Sequence, residues 1–142
     1  MELKQEVHLS CLQVSELLKQ FIEAFPTLSE RIDIEQYSIK LSNNALFILA
    51  CEDDEIVAFI AYYKDYDKRM KYIPLIAVKE SYRGKGIGGA MLTKLFVLDD
   101  HFTCIRLEVF KTNKKAYQFY ANHGFSIIED RNDRFLLEKT IL

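Results

Sequence analysis

Apolar residues recur along this chain in two periods, and the switch between them marks out its elements. Val14, Leu17, Leu18, Phe21 and Phe25 fall three and four residues apart after Ser10, which predicts an amphipathic helix with a serine N-cap, ended by Pro26. A second helix is predicted to start after Asp33, with Gln36 as its capping-box partner, and to stop near Leu41 because Asn43 and Asn44 break the pattern. Residues 7–9 read as a short first strand. Apolar runs over 45–51 and 56–63 predict two strands joined as a hairpin through Glu52-Asp53-Asp54-Glu55, and a third covers 71–78 beyond the polar turn 64–69. Helical spacing returns at Met91, Leu92, Leu95 and Phe96, and residues 104–110 read as a strand. Lys111-Thr112-Asn113 then opens a helix carrying Ala116, Tyr117, Phe119 and Tyr120, with Asn113 as N-cap and Gly124 as its C-terminal stop. Strands from Phe125 and over 135–140 complete the chain. No repeat, low-complexity tract or linker divides the 142 residues, so one domain covering 1–142 is expected, long enough to bury a single core.

The stretch from Tyr72 to Phe96, YIPLIAVKESYRGKGIGGAMLTKLF, is the most informative. An apolar strand leads through a short polar loop into four glycines, Gly84, Gly86, Gly88 and Gly89, interleaved with Arg83 and Lys85 just ahead of a helix. Glycines let backbone N–H groups converge on one point, and the open donors and positive dipole end of a helix N-terminus favour an anion. Phosphate oxygens are the natural guest. The plainer reading is a strand–loop–helix corner that uses glycine for tight packing. Gly84, Gly86 and Gly89 also fit G-x-G-x-x-G, with Glu108 about 20 residues on as in dinucleotide folds. Lys79 to Arg83, however, intervene between strand and first glycine, and too little chain follows for two βαβαβ halves. A phosphate-binding P-loop fails because no Gly-Lys-Ser or Gly-Lys-Thr ends the turn.

Arg83, Gly86 and Gly88 spell R-x-x-G-x-G after a strand ending in Ile76, Ala77 and Val78, and Asn113 to Phe125 spell N-x-x-A-x-x-F-Y-x-x-x-G-F. Together these resemble the acyl-CoA signature and closing motif of the GNAT superfamily of N-acyltransferases, in that family's order and separation. The resemblance implies an α/β fold with a mixed central sheet of six to seven strands, about four helices, and a strand pair that splays at the cofactor. It also implies acetyl-CoA as cosubstrate. The amides of Arg83, Gly84, Lys85, Gly86, Ile87, Gly88 and Gly89 would take its pyrophosphate, Ile76, Ala77 and Val78 would hydrogen-bond its pantetheine arm, and Asn113 would lie near one or the other.

The implied reaction is direct attack of a neutral primary amine, on a small molecule or a protein, at the thioester carbonyl, with the oxyanion held by a backbone N–H near Val78. Tyr120 would stand by the sulfur as general acid, its phenol being protonated at neutral pH. The competing role for Tyr120 is aromatic packing of an amphipathic helix on a sheet. Stripping the protonated amine needs a base, for which Glu108 is the first candidate and Asp65 and Asp67 weaker ones; a solvated or salt-bridged carboxylate is the ordinary alternative for each. Phe21, Phe25, Tyr37, Tyr62, Tyr63 and Tyr66, among acidic residues, would make an aromatic acceptor pocket suited to a small cationic amine, or else core or homodimer contacts. A CoA-binding module without turnover, serving as a sensor or assembly subunit, is the second reading, and a nucleotide-binding regulator the third.

Composition narrows the field. At 49% hydrophobic, 13% aromatic and 28% charged, the chain is globular, and a net charge of −2 with a pI of about 5.9 gives no nucleic-acid footprint. Arg83, Lys85, Lys111, Lys114 and Lys115 nonetheless gather beside the two motifs, where phosphates are expected. Cys11, Cys51 and Cys104 sit apart in apolar runs and read as reduced core residues, and His8, His101 and His123 lack metal-ligand spacing, so no metal is expected. His101 and His123 each suit a helix C-terminus. The start of the chain lacks a cationic, apolar leader and no run spans a bilayer, so a cytoplasmic protein without membrane partners is expected.

Overall fold

The computed structural model describes residues 1–22, 33–98 and 101–141. Its elements are β1 (Glu2–Val7), α1 (Cys11–Gln20), α2 (Ile34–Asn44), β2 (Ala45–Glu52), β3 (Glu55–Asp65), β4 (Met70–Val78), a 3-10 turn (Glu80–Tyr82), α3 (Ile87–Val97), β5 (Cys104–Phe110), α4 (Lys114–Asn122), β6 (Ser126–Arg131) and β7 (Arg134–Thr140). The strands form one mixed seven-stranded sheet in the order β1-β2-β3-β4-β5-β7-β6. The expected α/β class, strand number and four helices are all present among the described residues. Two compact units divide the chain: Met1–Tyr62 with Leu75–Leu95, and Tyr63–Pro74 with Phe96–Leu142.

In the first unit the helix caps follow from the sequence. Ser10 and Gln13 exchange side-chain-to-backbone bonds in a capping box that opens α1, and Asp33 Oδ1 accepts from the N–H groups of Glu35 and Gln36 to open α2, where Gln36 contributes its backbone N–H and not the reciprocal side-chain bond expected of it. α2 overruns its expected end because Asn44 donates its side-chain amide to the Lys40 carbonyl at 2.9 Å, so the asparagines close the helix from within. Phe25 and Pro26 lie outside the described residues. The strand expected over 7–9 is instead Glu2–Val7. Main-chain pairing with β2, from Glu2↔Cys51 to Val7↔Phe47, holds this polar stretch extended, and no apolar alternation is needed at a sheet edge. Asp53 and Asp54, at φ 51° and 64°, make the two-residue turn between β2 and β3 that a right-twisted hairpin favours.

The core of this unit gathers Phe21 edge-on to Phe59 at 5.1 Å, Phe47 against Phe59 at 6.2 Å, and the fully buried Leu18, Leu41, Met91, Leu92 and Leu95. The alternation of β4 is strict: Leu75 and Ala77 are buried while Ile76 and Val78 are half-exposed on the opposite face. Lys79 N–H donates to the Val57 carbonyl at 2.9 Å, which fixes the chain where it leaves the sheet.

In the second unit β5 pairs with β7 along its whole length, from Cys104↔Thr140 to Phe110↔Arg134, and β7 pairs with the edge strand β6. The parallel ladder between β4 and β5 is short. It registers Met70↔Cys104, Lys71↔Ile105 and Tyr72↔Arg106, then ends two residues before Pro74, which has no N–H to donate. β4 and β5 both run on past that point, to Val78 and Phe110. On β5 Ile105, Leu107 and Val109 are buried, while Arg106, Glu108 and Phe110 occupy the other face. Helix α4 covers the first of these faces, with Tyr117 6.2 Å from Phe135.

Candidate functional site

The glycine-rich segment lies in the first unit and is exposed from Arg83 to Gly86. Gly84 and Gly86 have φ of +76° and +80°, and nothing stands within 4 Å of where a Cβ would be on either. The backbone here therefore adopts a conformation that only glycine takes without strain, beside open space. Gly86 is also the cap of α3, since its carbonyl accepts from Ala90 N–H at 3.0 Å. A glycine cap brings no side-chain oxygen, and the first turn holds no acidic residue. By helix geometry the N–H groups of Ile87, Gly88 and Gly89 then lack an intrahelical acceptor, at the positive end of the dipole.

Arg83 sets the entrance to this loop. Its Nε donates to the Val78 carbonyl at 3.0 Å, tying the loop back to the last residue of β4 and leaving the outer guanidinium nitrogens to solvent. Lys85 Nζ lies 5.3 Å from the Tyr82 ring centre, so the second cation is also held over the loop. Open amides, a dipole end and two cations are the chemistry that favours an anion at a helix N-terminus. Of the other lysines expected here, Lys111 bonds Asp130 at 2.5 Å, while Lys114 and Lys115 are exposed.

The second unit carries the remaining candidates. Tyr120 is 8% exposed on α4, edge-on to Phe119 at 5.3 Å and Phe125 at 5.7 Å. Burial raises its phenol above the ordinary tyrosine range, and no side chain among the described residues hydrogen-bonds the hydroxyl. Asn113 is the N-cap as expected: its Oδ1 accepts from Ala116 N–H at 3.1 Å, a bond that does not use Nδ2. Asn113→Ala should therefore destabilise the protein by about 1 kcal/mol in urea denaturation, whereas Asn113→Ser, which keeps a capping oxygen, should stay within a few tenths.

Glu108 sits on the face of β5 away from α4, 22% exposed, with three donors around it. Tyr72 OH donates to Oε1 at 3.3 Å, Arg134 Nη1 lies 3.5 Å from Oε1, and Arg131 Nη1 lies 3.5 Å from Oε2. Burial and the neighbouring carboxylate push the Tyr72 phenol up to about 12, so it stays a hydrogen-bond donor. The sequence reading named Glu108 but not these three partners. No local signal marks them: Tyr72 reaches β5 only through the parallel ladder, where it faces Arg106, and Arg131 and Arg134 flank Asn132-Asp133 in a hairpin whose second strand pairs with β5. Asp65 is spent on its own turn, accepting from Lys68 N–H at 3.1 Å, and Asp67 is exposed.

Two expectations change. Phe21 and Tyr62 are buried in the core and cannot line an acceptor pocket, while Tyr66 is 73% exposed against Phe102. The three cysteines are free and half-buried, where core burial was expected: Cys11 and Cys104 open their elements, and Cys51 lies one residue from the end of β2. His123 caps α4, its Nδ1 2.8 Å from the Phe119 carbonyl, and the His101 carbonyl accepts two bonds from Arg69 at 2.9 and 2.6 Å. No helix among the described residues is long and apolar enough to cross a membrane.

The sequence matches the pattern of the acetyltransferase (GNAT) family over residues 12–125. N-alpha-acetyltransferase 30 of Xenopus laevis is 36% identical over 104 residues, covering 69% of this chain and 38% of that protein. Tyramine N-feruloyltransferase 10/30 of Nicotiana tabacum is 31% identical over 91 residues, covering 57% of this chain and 40% of that one. The chain thus spans less than half the length of these relatives. Among solved structures, PaiA N-acetyltransferase from Thermoplasma acidophilum, in complex with coenzyme A, superposes with a TM-score of 0.78 at 21% identity, with 99% of each chain covered, which speaks for the fold. With the family pattern running through most of its sequence and this seven-stranded sheet to carry it, the chain belongs to the acetyltransferase (GNAT) family.

Proposed function

We propose that this protein is an N-acetyltransferase that moves an acetyl group from acetyl-CoA to a primary amine by direct attack. The observation that carries the reading is the N-terminus of α3: a glycine cap, two left-handed glycines beside open space, and unencumbered amides flanked by Arg83 and Lys85. Such a cradle fits a diphosphate, which offers several oxygens to converging N–H groups. On this reading the amides from Arg83 to Gly89 take the pyrophosphate and the main chain of Ile76, Ala77 and Val78 receives the pantetheine arm as an added strand would be received. Asn113 Nδ2 supplies one further donor.

Tyr120 and Glu108 then divide the proton work. Tyr120, on the α4 face of the sheet, donates a hydrogen bond to the departing sulfur. Glu108, on the other face of β5, takes the proton of the incoming ammonium group directly or through water. The protein needs no covalent intermediate, because a thioester is already activated toward a neutral amine. The two named relatives, one an N-alpha-acetyltransferase and one a tyramine N-feruloyltransferase, support an amine as acceptor and leave its size and the acyl group to experiment.

Calorimetry with CoA, NAD and ATP tests the cradle, and thiol release from acetyl-CoA with a panel of amines tests the transfer. Tight binding of CoA alone among the three, with turnover on at least one amine, is the expected result. CoA binding without turnover on any amine would leave a cofactor-binding module, and preference for NAD or ATP would overturn the reading altogether.

A further inference from the structure

Arg131 and Arg134 face each other across the β6–β7 hairpin, and Arg134 pairs in register with Phe110 of β5. Glu108, two residues before Phe110, lies on the same face, so both guanidiniums and the carboxylate share one surface. Neither arginine makes a bidentate pair with Glu108: both contacts are 3.5 Å, longer than the roughly 2.7–2.9 Å of a charge-assisted bond. Arg131 Nη2 bonds Glu129 at 3.0 Å and Arg134 Nε lies 3.9 Å from Asp133. Those two acids are 53% and 69% exposed, so solvent screens their charge. Arg106 and Glu138, further along the face, satisfy one another at 2.7 Å and compete for neither arginine.

A guanidinium has five N–H donors, so both arginines keep donors to offer. Arg134 is also held in place by stacking on Phe110, 4.7 Å from the ring centre, so the order needed for planar recognition is already built in. We infer that Arg131 and Arg134 recognise a carboxylate on the acceptor, making the substrate an amine with an acid group a few bonds away, of the amino-acid type. The inference rests on the reading above that Glu108 faces the amine. Because both guanidiniums lie 3.5 Å from Glu108, an amine held there places an α- or γ-carboxylate within their reach. An acceptor of this class replaces the small cationic amine expected from the tyrosine-rich sequence.

The test uses matched acceptors, alanine with alaninamide and 4-aminobutyrate with its amide, scored by kcat/KM for thiol release from acetyl-CoA. In the alanine pair the amide has the less basic amine, so simple reactivity favours the amide there. We expect the acid to be preferred by about tenfold or more in at least one pair, and Arg131→Gln to bring that ratio close to one, with Arg131→Lys between. Arg131 is the position to change because Arg134 stays stacked on Phe110. Calorimetry of the same pairs on the CoA-bound protein reads the preference without turnover, and tighter binding of the acid is expected. Equal rates and equal binding of acid and amide, or a ratio that Arg131→Gln leaves intact, would overturn the inference and identify the arginines as a surface ion-pair network. Failure of CoA to bind would count against the acyl-transfer reading instead, so the two failures are distinguishable.

Discussion

Gly86→Asn is expected to leave the protein folded while weakening CoA binding by about tenfold or more, near 1.4 kcal/mol. Asparagine is one of the few residues that enters the left-handed region readily, so the +80° φ of Gly86 should survive at a stability cost within about 1 kcal/mol. Its side chain, however, projects into space that nothing in the protein fills within 4 Å, and on the proposed reading that space belongs to phosphate oxygens. Gly86→Val adds backbone strain to the same obstruction, because a β-branched residue tolerates positive φ poorly, and it should lose both affinity and stability. Thermal denaturation and CoA calorimetry on the two variants separate these effects. Unchanged CoA affinity in Gly86→Asn would mean that the amides at the head of α3 do not grip the diphosphate, and that the glycines serve only the turn.

How much of this was legible in the sequence depends on whether the cause is local. The caps at Ser10, Asp33 and Asn113 were readable because a side-chain oxygen and a backbone N–H two or three residues on need no other partner. The strand over Cys104–Phe110 was readable from its alternation alone. β1 was misplaced because its residues are extended by pairing with β2, forty and more residues away, and carry only Leu3 and Val7 as half-buried positions. The insertion of β7 between β5 and β6 has no local signature either, since both neighbours of β7 are antiparallel and either order satisfies the hairpin. The same limit applies at the site. Glycine spacing and the Asn113-to-Phe125 motif are written along the chain, whereas the grouping of Glu108 with Tyr72, Arg131 and Arg134 exists only once four strands are in register.

Replacing Tyr120 by phenylalanine should lower kcat about 10- to 100-fold with little change in CoA affinity or in stability. The stability expectation follows from the hydroxyl's surroundings: no side chain among the described residues bonds it, so its removal breaks no bond within the protein, and the ring keeps its contacts with Phe119 and Phe125. The kinetic expectation sits at the low end of general acid catalysis for a chemical reason. Burial holds the Tyr120 phenol above the usual value of about 10, while an ordinary thiol titrates near 8.5, so full proton transfer to the departing thiolate runs uphill. What Tyr120 offers is a hydrogen bond to sulfur as charge develops, in a site where little water competes. A phenol held so high stays protonated through pH 9, so the ratio of wild-type to variant kcat should be flat from pH 6 to 9. A ratio that shrank toward pH 9 would instead mark a tyrosine that ionises in that range and acts as a base. An unchanged kcat in Tyr120→Phe would return this residue to the aromatic packing of α4 and leave the thiolate to be protonated by solvent.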